Sequence, residues 1–307
     1  MKEYDLLKQL CEVQGTSGDE ANIRDFIIEY VKETSPKWDK QPTLYYGDGF
    51  QDTLVLAFGK PKLAAFAHID TVGFTVRYEN QLVSVGSPDA EDGTFLVGED
   101  SLGLIRCKLI SDPEGHAFYQ FGRGIASGTP LSYEVDFKET RDYITTAYLD
   151  NRLGVFNLLK LAETLENGLL VFSTWEEHGG GSVPFLAKFM VEEFGVQKAL
   201  ISDITWVTDG VHHGKGTAIS LRDINLPRKK FIDKITSIAE RSEIPFQREV
   251  EAGGSSDGRE LQTSPYPIDW CFVGAPIHGA HTPSEKVNKK DVKSMLALYK
   301  KFFEELD

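Results

Sequence analysis

Apolar positions in this chain follow two periods, and the switches between them outline a fold. Leu6, Leu7, Leu10 and Val13 recur at helical spacing, as do Ile23, Phe26, Ile27 and Val31 after a Thr16-Ser17-Gly18-Asp19-Glu20 turn. Residues 43–47 and 53–58 read as a strand pair. The run Leu63-Ala64-Ala65-Phe66-Ala67 reads as a buried strand. Between residues 72 and 145 the helical period disappears. Short β-type runs (73–78, 82–85, 94–97, 103–110, 117–121, 131–137 and 143–148) alternate there with turn signals such as Asp92-Gly93 and Asp112-Pro113-Glu114-Gly115. The helical period returns at Val155, Leu158, Leu159, Ala162 and Leu165. Helices at 182–194 and 228–242 then alternate with strand-like runs at 169–172, 199–202, 216–222, 246–250 and 270–274. A last helix carries Val292, Met295, Leu296, Tyr299, Phe302 and Phe303 on its buried stripe. The expected fold class is α/β. Residues 1–71 and 146–307 are expected to build a mixed, mostly parallel sheet flanked by helices, and 72–145 read as a small inserted all-β domain, with hairpins on the same core as the alternative.

Several of the apolar runs end on groups that can do chemistry. His68-Ile69-Asp70 follows 63–67, Glu176-Glu177-His178 follows 169–172, and Asp203 follows 199–202. The run at 270–274 leads through Pro276 to His281-Thr282-Pro283, and Asp150-Asn151-Arg152 opens a helix. In open α/β sheets ligands gather at the carboxyl ends of strands. Singly, each residue has a plain reading: His68 and His281 as core histidines, Asp150 as a helix cap, Asp203 as a solvated acid. Their repeated placement past apolar runs favours a site. His68, Asp150, Glu177, Asp203 and His281 form a set suited to zinc, and also to manganese or cobalt. They nearly supply two ions if Asp150 is shared between them. Two divalent ions about 3.5–4 Å apart can acidify a water and polarise a carbonyl. A base is then needed beside them, so Glu176 and Glu177 divide the labour: one binds metal and its neighbour takes the proton. The Gly179-Gly180-Gly181 run can turn both inward. Asp70 is read as accepting the other ring N–H of His68 and fixing its tautomer. The turn Gly253-Gly254-Ser255-Ser256-Asp257-Gly258 reads either as backbone approaching a ligand or as a plain tight turn.

This constellation resembles metallopeptidase family forty-two, the tetrahedral (TET), deblocking and glutamyl aminopeptidases. His68-Ile69-Asp70 is similar to the family's His-x-Asp motif, and Asp150-Asn151-Arg152-Leu153-Gly154-Val155 to the motif of its bridging aspartate. The resemblance implies Glu176 as general base, and His68, Asp150, Glu177, Asp203 and His281 as ligands of two divalent ions. Those ions would be zinc, or cobalt or manganese. It also implies a zinc-exopeptidase-like fold, peptide substrates, and an inserted domain serving dimerisation and assembly, with the dimer built into a dodecamer. The chain departs from the family where Thr71-Val72 replaces Glu-Ile, His178-Gly179-Gly180-Gly181 replaces Val-Gly-x-Arg, and His278-Gly279 replaces Arg-Tyr. His68-Ile69-Asp70-Thr71-Val72 is closer to metallopeptidase family twenty. Spacing favours family forty-two: the insert fits the 80 residues from Asp70 to Asp150, and the 78 from Asp203 to His281 leave no room for a further domain.

Composition narrows the classes further. With 33 basic and 47 acidic residues the net charge is −14, which disfavours nucleic acid as a partner. Cys11, Cys107 and Cys271 are odd in number and lack Cys-x-x-Cys spacing, as expected of buried thiols in a cytoplasmic protein. Met1-Lys2-Glu3-Tyr4-Asp5 has no apolar signal core, and no apolar run suggests a membrane partner. Competing readings are a family-twenty-like dipeptidase or deacylase, a glycoside hydrolase, and a non-catalytic metal-binding scaffold. Adjacent Glu176 and Glu177 do not suit the two facing carboxyls of glycoside hydrolysis. A decayed scaffold would have lost a base or a ligand. His178 reads as structural or solvent-facing, with the scissile carbonyl as the alternative, and His116 as exposed. The His212-His213 loop has no assigned role.

Overall fold

The computed structural model describes residues 3–306. Met1 and Lys2, part of the stretch read for a targeting signal, lie outside it, as does Asp307. Helices α1 (Asp5–Glu12) and α2 (Ala21–Thr34) lead into strands β1 (Thr43–Gly47), β2 (Gln51–Phe58) and β3 (Ala64–His68). Next come β4 (Gly73–Val76), β5 (Leu82–Val85), β6 (Phe95–Asp100), β7 (Gly103–Ser111), β8 (Ala117–Gln120) and β9 (Pro130–Tyr133). The chain continues through β10 (Lys138–Glu139), β11 (Tyr143–Thr146), α3 (Leu149–Ala162), β12 (Gly168–Ser173), α4 (Val183–Phe194) and β13 (Lys198–Trp206). It ends with β14 (Thr217–Arg222), α5 (Lys229–Ser242), β15 (Phe246–Val250), α6 (Gly258–Thr263), β16 (Asp269–His278), β17 (Glu285–Asn288) and α7 (Lys289–Leu306).

The large sheet runs β1-β2-β12-β3-β13-β16-β17-β11-β10, with β14 joining β16 and β15 joining β14. Its centre, β12-β3-β13-β16, is parallel throughout, and antiparallel strands flank it. This is the α/β architecture that the periodicity predicts. The central strands are buried along their length because helices cover both faces. Alternation along β2 feeds two cores. Leu54, Leu56 and Phe58 pack with α2, α3 and α7, whereas Val55 and Ala57 pack with α4 and α6. Cys11, Cys107 and Cys271 are buried free thiols. Among the described residues no helix is long and apolar enough to cross a membrane.

Strands β4–β9 form a second, six-stranded sheet in the order β5-β4-β9-β6-β7-β8, around a core that includes Phe74, Leu96, Ile105 and Tyr133. The last β-type run expected inside 72–145 goes elsewhere. β11 pairs antiparallel with β17, with Ile144 opposite Val287, and so belongs to the large sheet. A short alternating run carries no mark of its partner, so periodicity alone cannot assign it. Three further elements, β10, β17 and α6, have no counterpart among the expected ones, all being too brief for a period to register.

Gly154 explains how close α3 comes to the sheet. A Cβ there would lie 2.0 Å from the Ser202 carbonyl oxygen and 2.3 Å from Asn151 Oδ1. The helix therefore rests on the β13 backbone one residue before Asp203. Gly154→Ala is expected to destabilise the fold by about 1–3 kcal/mol through overpacking. A urea midpoint equal to that of the unaltered protein would contradict this contact.

Candidate metal centre

Parallel register brings the candidate groups to one end of the sheet. Ser173 pairs with His68, and Ile201 pairs with Phe66, which sets Asp203 level with His68. Asp203 does not end its strand as expected. β13 continues to Trp206 because β16 runs beside it, with Trp206 opposite Ile277. Asp150 lies in α3 before its regular turns begin, with non-helical torsions and a cis peptide bond to Asn151. Tyr148, Trp175 and His281 have positive φ of 68°, 62° and 64°. A left-handed backbone is unfavourable for such bulky residues and is held only where surroundings dictate it. Each of the three is a candidate ligand or stands two residues from one.

The six proposed metal and base groups converge. His68 Nε2 lies 3.2 Å from Asp150 Oδ1, 3.6 Å from Asp203 Oδ2 and 3.9 Å from Glu176 Oε2. His281 Nε2 lies 3.3 Å from Asp150 Oδ2 and 3.2 Å from Glu177 Oε2. Two groups result, one of His68, Asp150 and Asp203 and the other of Asp150, Glu177 and His281. Asp150 belongs to both through separate oxygens. A ligand atom each from His68, Asp150 and Glu177 also falls within a common 4.8 Å.

The other ring nitrogens are occupied. Nδ1 of His281 meets the Ser87 carbonyl at 3.1 Å, so donation there leaves Nε2 free as a ligand atom. Nδ1 of His68 meets the Asp70 main-chain carbonyl at 3.2 Å and the Asp70 carboxylate at 3.4 Å. Both acceptors of Asp70, the main-chain carbonyl and the side chain named from the sequence, thus face this ring nitrogen. The Asp70 carboxylate also holds the di-glutamate loop. It accepts the amides of Glu176 at 3.1 Å and Glu177 at 3.0 Å, and the Ser17 hydroxyl at 2.5 Å.

Further side chains support the ligands. Glu285 accepts the amides of Asp150 at 3.0 Å and His281 at 2.8 Å, tying two ligand backbones together. Glu285 stands four residues after His281, at the end of the His281-Thr282-Pro283-Ser284-Glu285 segment. Ser256 donates to Asp203 Oδ2 at 2.7 Å, and Ser173 to Asp257 Oδ2 at 2.5 Å. The Gly253–Gly258 turn therefore meets the ligands. Buried Glu20 accepts the amides of Gly18 at 2.9 Å and Trp175 at 3.3 Å. Arg152, fully buried, donates to the carbonyls of Ile69 and Val13. His178 is exposed and accepts the Gly86 amide through Nδ1 at 3.1 Å, a tie to the second sheet. His116 is exposed beside Asp112, and His213 packs edge-on against Tyr143 with ring centroids 5.5 Å apart.

Electrostatics favour cations here. Burial raises the carboxyls of Glu176 and Glu177 well above the ordinary range, helped by Asp203 and Asp150 respectively. Burial also pushes Asp203 up to about 7 and Asp257 up to about 6. For His68, burial alone would lower the pKa, but Asp203, Asp150 and Asp70 together raise it well above its usual value. Asp150 runs the other way: burial is overcome by His281 and His68, and it is held far below the usual range. Glu177 Oε1 is buried without a hydrogen-bond partner. Imidazole and carboxylate donors, excess buried negative charge and an orphaned carboxylate oxygen all fit divalent metal.

A cavity of about 260 Å³ opens onto this cluster. Glu176 faces it with 17% of its side chain exposed, against 4% for Glu177.

The family model described as M42 glutamyl aminopeptidase matches residues 121–298. A putative aminopeptidase of Acetivibrio thermocellus is 24% identical over 328 residues, covering 96% of each chain. The TET aminopeptidase of a marine sediment Thaumarchaeota archaeon superposes with a TM-score of 0.88 at 18% identity, covering 100% of this chain and 98% of that one. The TET1 peptidase of Pyrococcus horikoshii, which can assemble into a tetrahedron or a large octahedral shell, gives 0.82 at 20% identity over 97% and 98% of the two chains.

Proposed function

The chain belongs to the M42 glutamyl aminopeptidase family, and on that premise we propose that it removes N-terminal residues from peptides with two divalent ions and Glu176 as general base. The observation that carries this reading is the sharing of Asp150, whose two oxygens stand 3.2 and 3.3 Å from different histidines. His68, Asp150 and Asp203 would hold one ion, and Asp150, Glu177 and His281 the other. When bound, the ions supply Lewis acidity toward a water and the peptide carbonyl. Glu176 takes the proton of the attacking water at its carboxylate and returns it to the leaving amine. Asp70 keeps the Glu176 backbone in place during both transfers, and Ser87 fixes the tautomer of His281. The amino terminus of the substrate binds beside an acidic side chain.

Zinc, cobalt and manganese all suit this donor set. Assembly into a homo-oligomer follows the TET relatives, with the six-stranded sheet as the assembly element. Deleting residues 74–133, which spares β10 and β11 of the large sheet, is then expected to give smaller particles by light scattering, and an unchanged particle mass would refute that role.

The test of function is cleavage of short peptides with free and with acetylated N-termini by the metal-loaded protein, together with metal content by mass spectrometry. Release of single residues from free termini only, at about two ions per chain, is the expected outcome. Activity confined to dipeptides or acylated substrates would replace this reading with a dipeptidase or deacylase. Removing the ions with chelator is expected to abolish turnover and lower the melting temperature, since ligand binding to the native state at 100 times Kd contributes about 2.7 kcal/mol.

A further inference from the structure

The second sheet reaches the metal centre, and it grips the ligands of one ion position. The loop between β5 and β6 passes beside Glu177 and His281. Its Gly86 amide donates to Nδ1 of His178, the residue after Glu177, at 3.1 Å. Gly86 has a positive φ of 67°, and a Cβ there would lie 3.0 Å from the Glu177 carbonyl oxygen and 3.3 Å from the Glu177 Cβ. The loop backbone therefore lies directly against the Glu177 backbone, an approach that glycine permits.

His281 is held from the same side. Its Nδ1 donates to the Ser87 carbonyl at 3.1 Å, and its main-chain carbonyl accepts the Asp89 amide and the Tyr133 hydroxyl, both at 3.0 Å. Its amide goes to Glu285. Three of these four hydrogen bonds thus come from the second sheet or its loop. Tyr133, 1% exposed on β9, stacks on Tyr148 with ring centroids 5.6 Å apart, so its hydroxyl is held in one place.

The ligands of the other ion position have different supports. His68 Nδ1 meets Asp70, Ser256 donates to Asp203 Oδ2 at 2.7 Å, and the Ile204 amide donates to Asp203 Oδ1 at 2.7 Å. Those partners stand on the large sheet and its loops. The two positions share Asp150, yet separate parts of the fold keep their remaining ligands in place. Hydrogen bonds behind a ligand fix its tautomer and orientation, and losing one typically weakens metal binding by about 10–100-fold.

We propose that the second sheet acts within its own chain as a positioning element for the ion position of Glu177 and His281, with His178 and Tyr133 as its positioning residues, and that the position of His68 and Asp203 does not depend on it. The inference rests on the two-ion reading, and it gives the sheet a task apart from assembly.

The test is titration of the metal-free protein with zinc by calorimetry, in which His281→Ala marks the binding event that belongs to the Glu177 and His281 position. In His178→Ala and in Tyr133→Phe that event is expected to weaken by about tenfold, while the other keeps its affinity. His178→Asn retains an acceptor near the place of Nδ1 and is expected to bind as the unaltered protein does. Phenylalanine preserves the stack on Tyr148, and melting temperatures identify any variant that fails to fold. Particle mass by light scattering is expected to stay the same. Equal weakening of both events overturns the proposal, because a general loosening of the fold would do that. So does unaltered affinity in both variants, and so does His178→Asn binding as weakly as His178→Ala. Weakening that appears only with smaller particles overturns the action within one chain. If the unaltered protein takes up a single zinc ion, the two-ion reading fails. Weakening of that ion in His178→Ala and not in His178→Asn then still supports the positioning role, and one affinity across all variants overturns it.

Discussion

Glu176→Gln is expected to reduce kcat by about 10²–10⁴-fold, the usual contribution of a positioned general base, or about 3–5 kcal/mol of barrier. Glutamine keeps the shape and the amide held by Asp70 Oδ1 but cannot take a proton. The neighbouring glutamate differs in its surroundings. Glu177 Oε2 sits 3.2 Å from His281 Nε2, whereas the nearest imidazole nitrogen to Glu176 Oε2 is 3.9 Å away and the side chain opens to the cavity. Metal content is therefore expected to stay at its unaltered value in Glu176→Gln and to fall in Glu177→Gln. Stability follows from the sign of the pKa shift. Burial raises the Glu176 carboxyl, so its ionised form is disfavoured in the folded state before cations bind. A raised acid makes the folded protein less stable above the ordinary carboxylate range than below it. The metal-free Gln variant is thus expected to melt no lower than its parent at neutral pH. Full turnover in Glu176→Gln, or loss of its metal, would remove Glu176 from the role of base.

Physics decides which parts of this arrangement are legible in the amino-acid sequence. The buried parallel strands announce themselves as apolar runs because both faces are covered, and the ligands stand at or just past them because those ends are open. His68, Glu177 and His281 need only that logic. Asp203 reaches the cluster by a shorter route than expected, inside β13 and level with His68 through the Ile201–Phe66 pairing. The supports are not legible. Ser17, Glu20 and Glu285 act through hydrogen bonds to groups far away in sequence, and an ordinary serine or glutamate carries no sign of its partner. The strand β11 escapes its expected sheet for the same reason: pairing, unlike periodicity, is a property of two segments.

Asp150→Asn should have the second large effect, and its signature differs from that of Glu176→Gln. Asp150 sets a separate oxygen within 3.3 Å of each histidine, and Asn replaces one of its two oxygens with a group that cannot bind metal. One ion position loses its shared donor and both lose a charge, so metal content is expected to fall below two per chain, with turnover reduced about 10³-fold or more. The metal-free protein should also suffer. The two imidazoles overcome burial and hold Asp150 below the ordinary carboxylate range, so it contributes stability above its unfolded value of 3.8, lost as pH falls through the lower folded value. At neutral pH, breaking this buried network is expected to cost about 3–5 kcal/mol. The difference between Asp150→Asn and its parent should then narrow as the pH is lowered below 3.8, while Glu176→Gln shows no such loss at neutral pH. Opposite stability effects of two carboxylates in one cluster separate the shared ligand from the base without any substrate. If Asp150→Asn binds two ions with unaltered affinity, Asp150 does not bridge them, and the two-ion scheme fails with it.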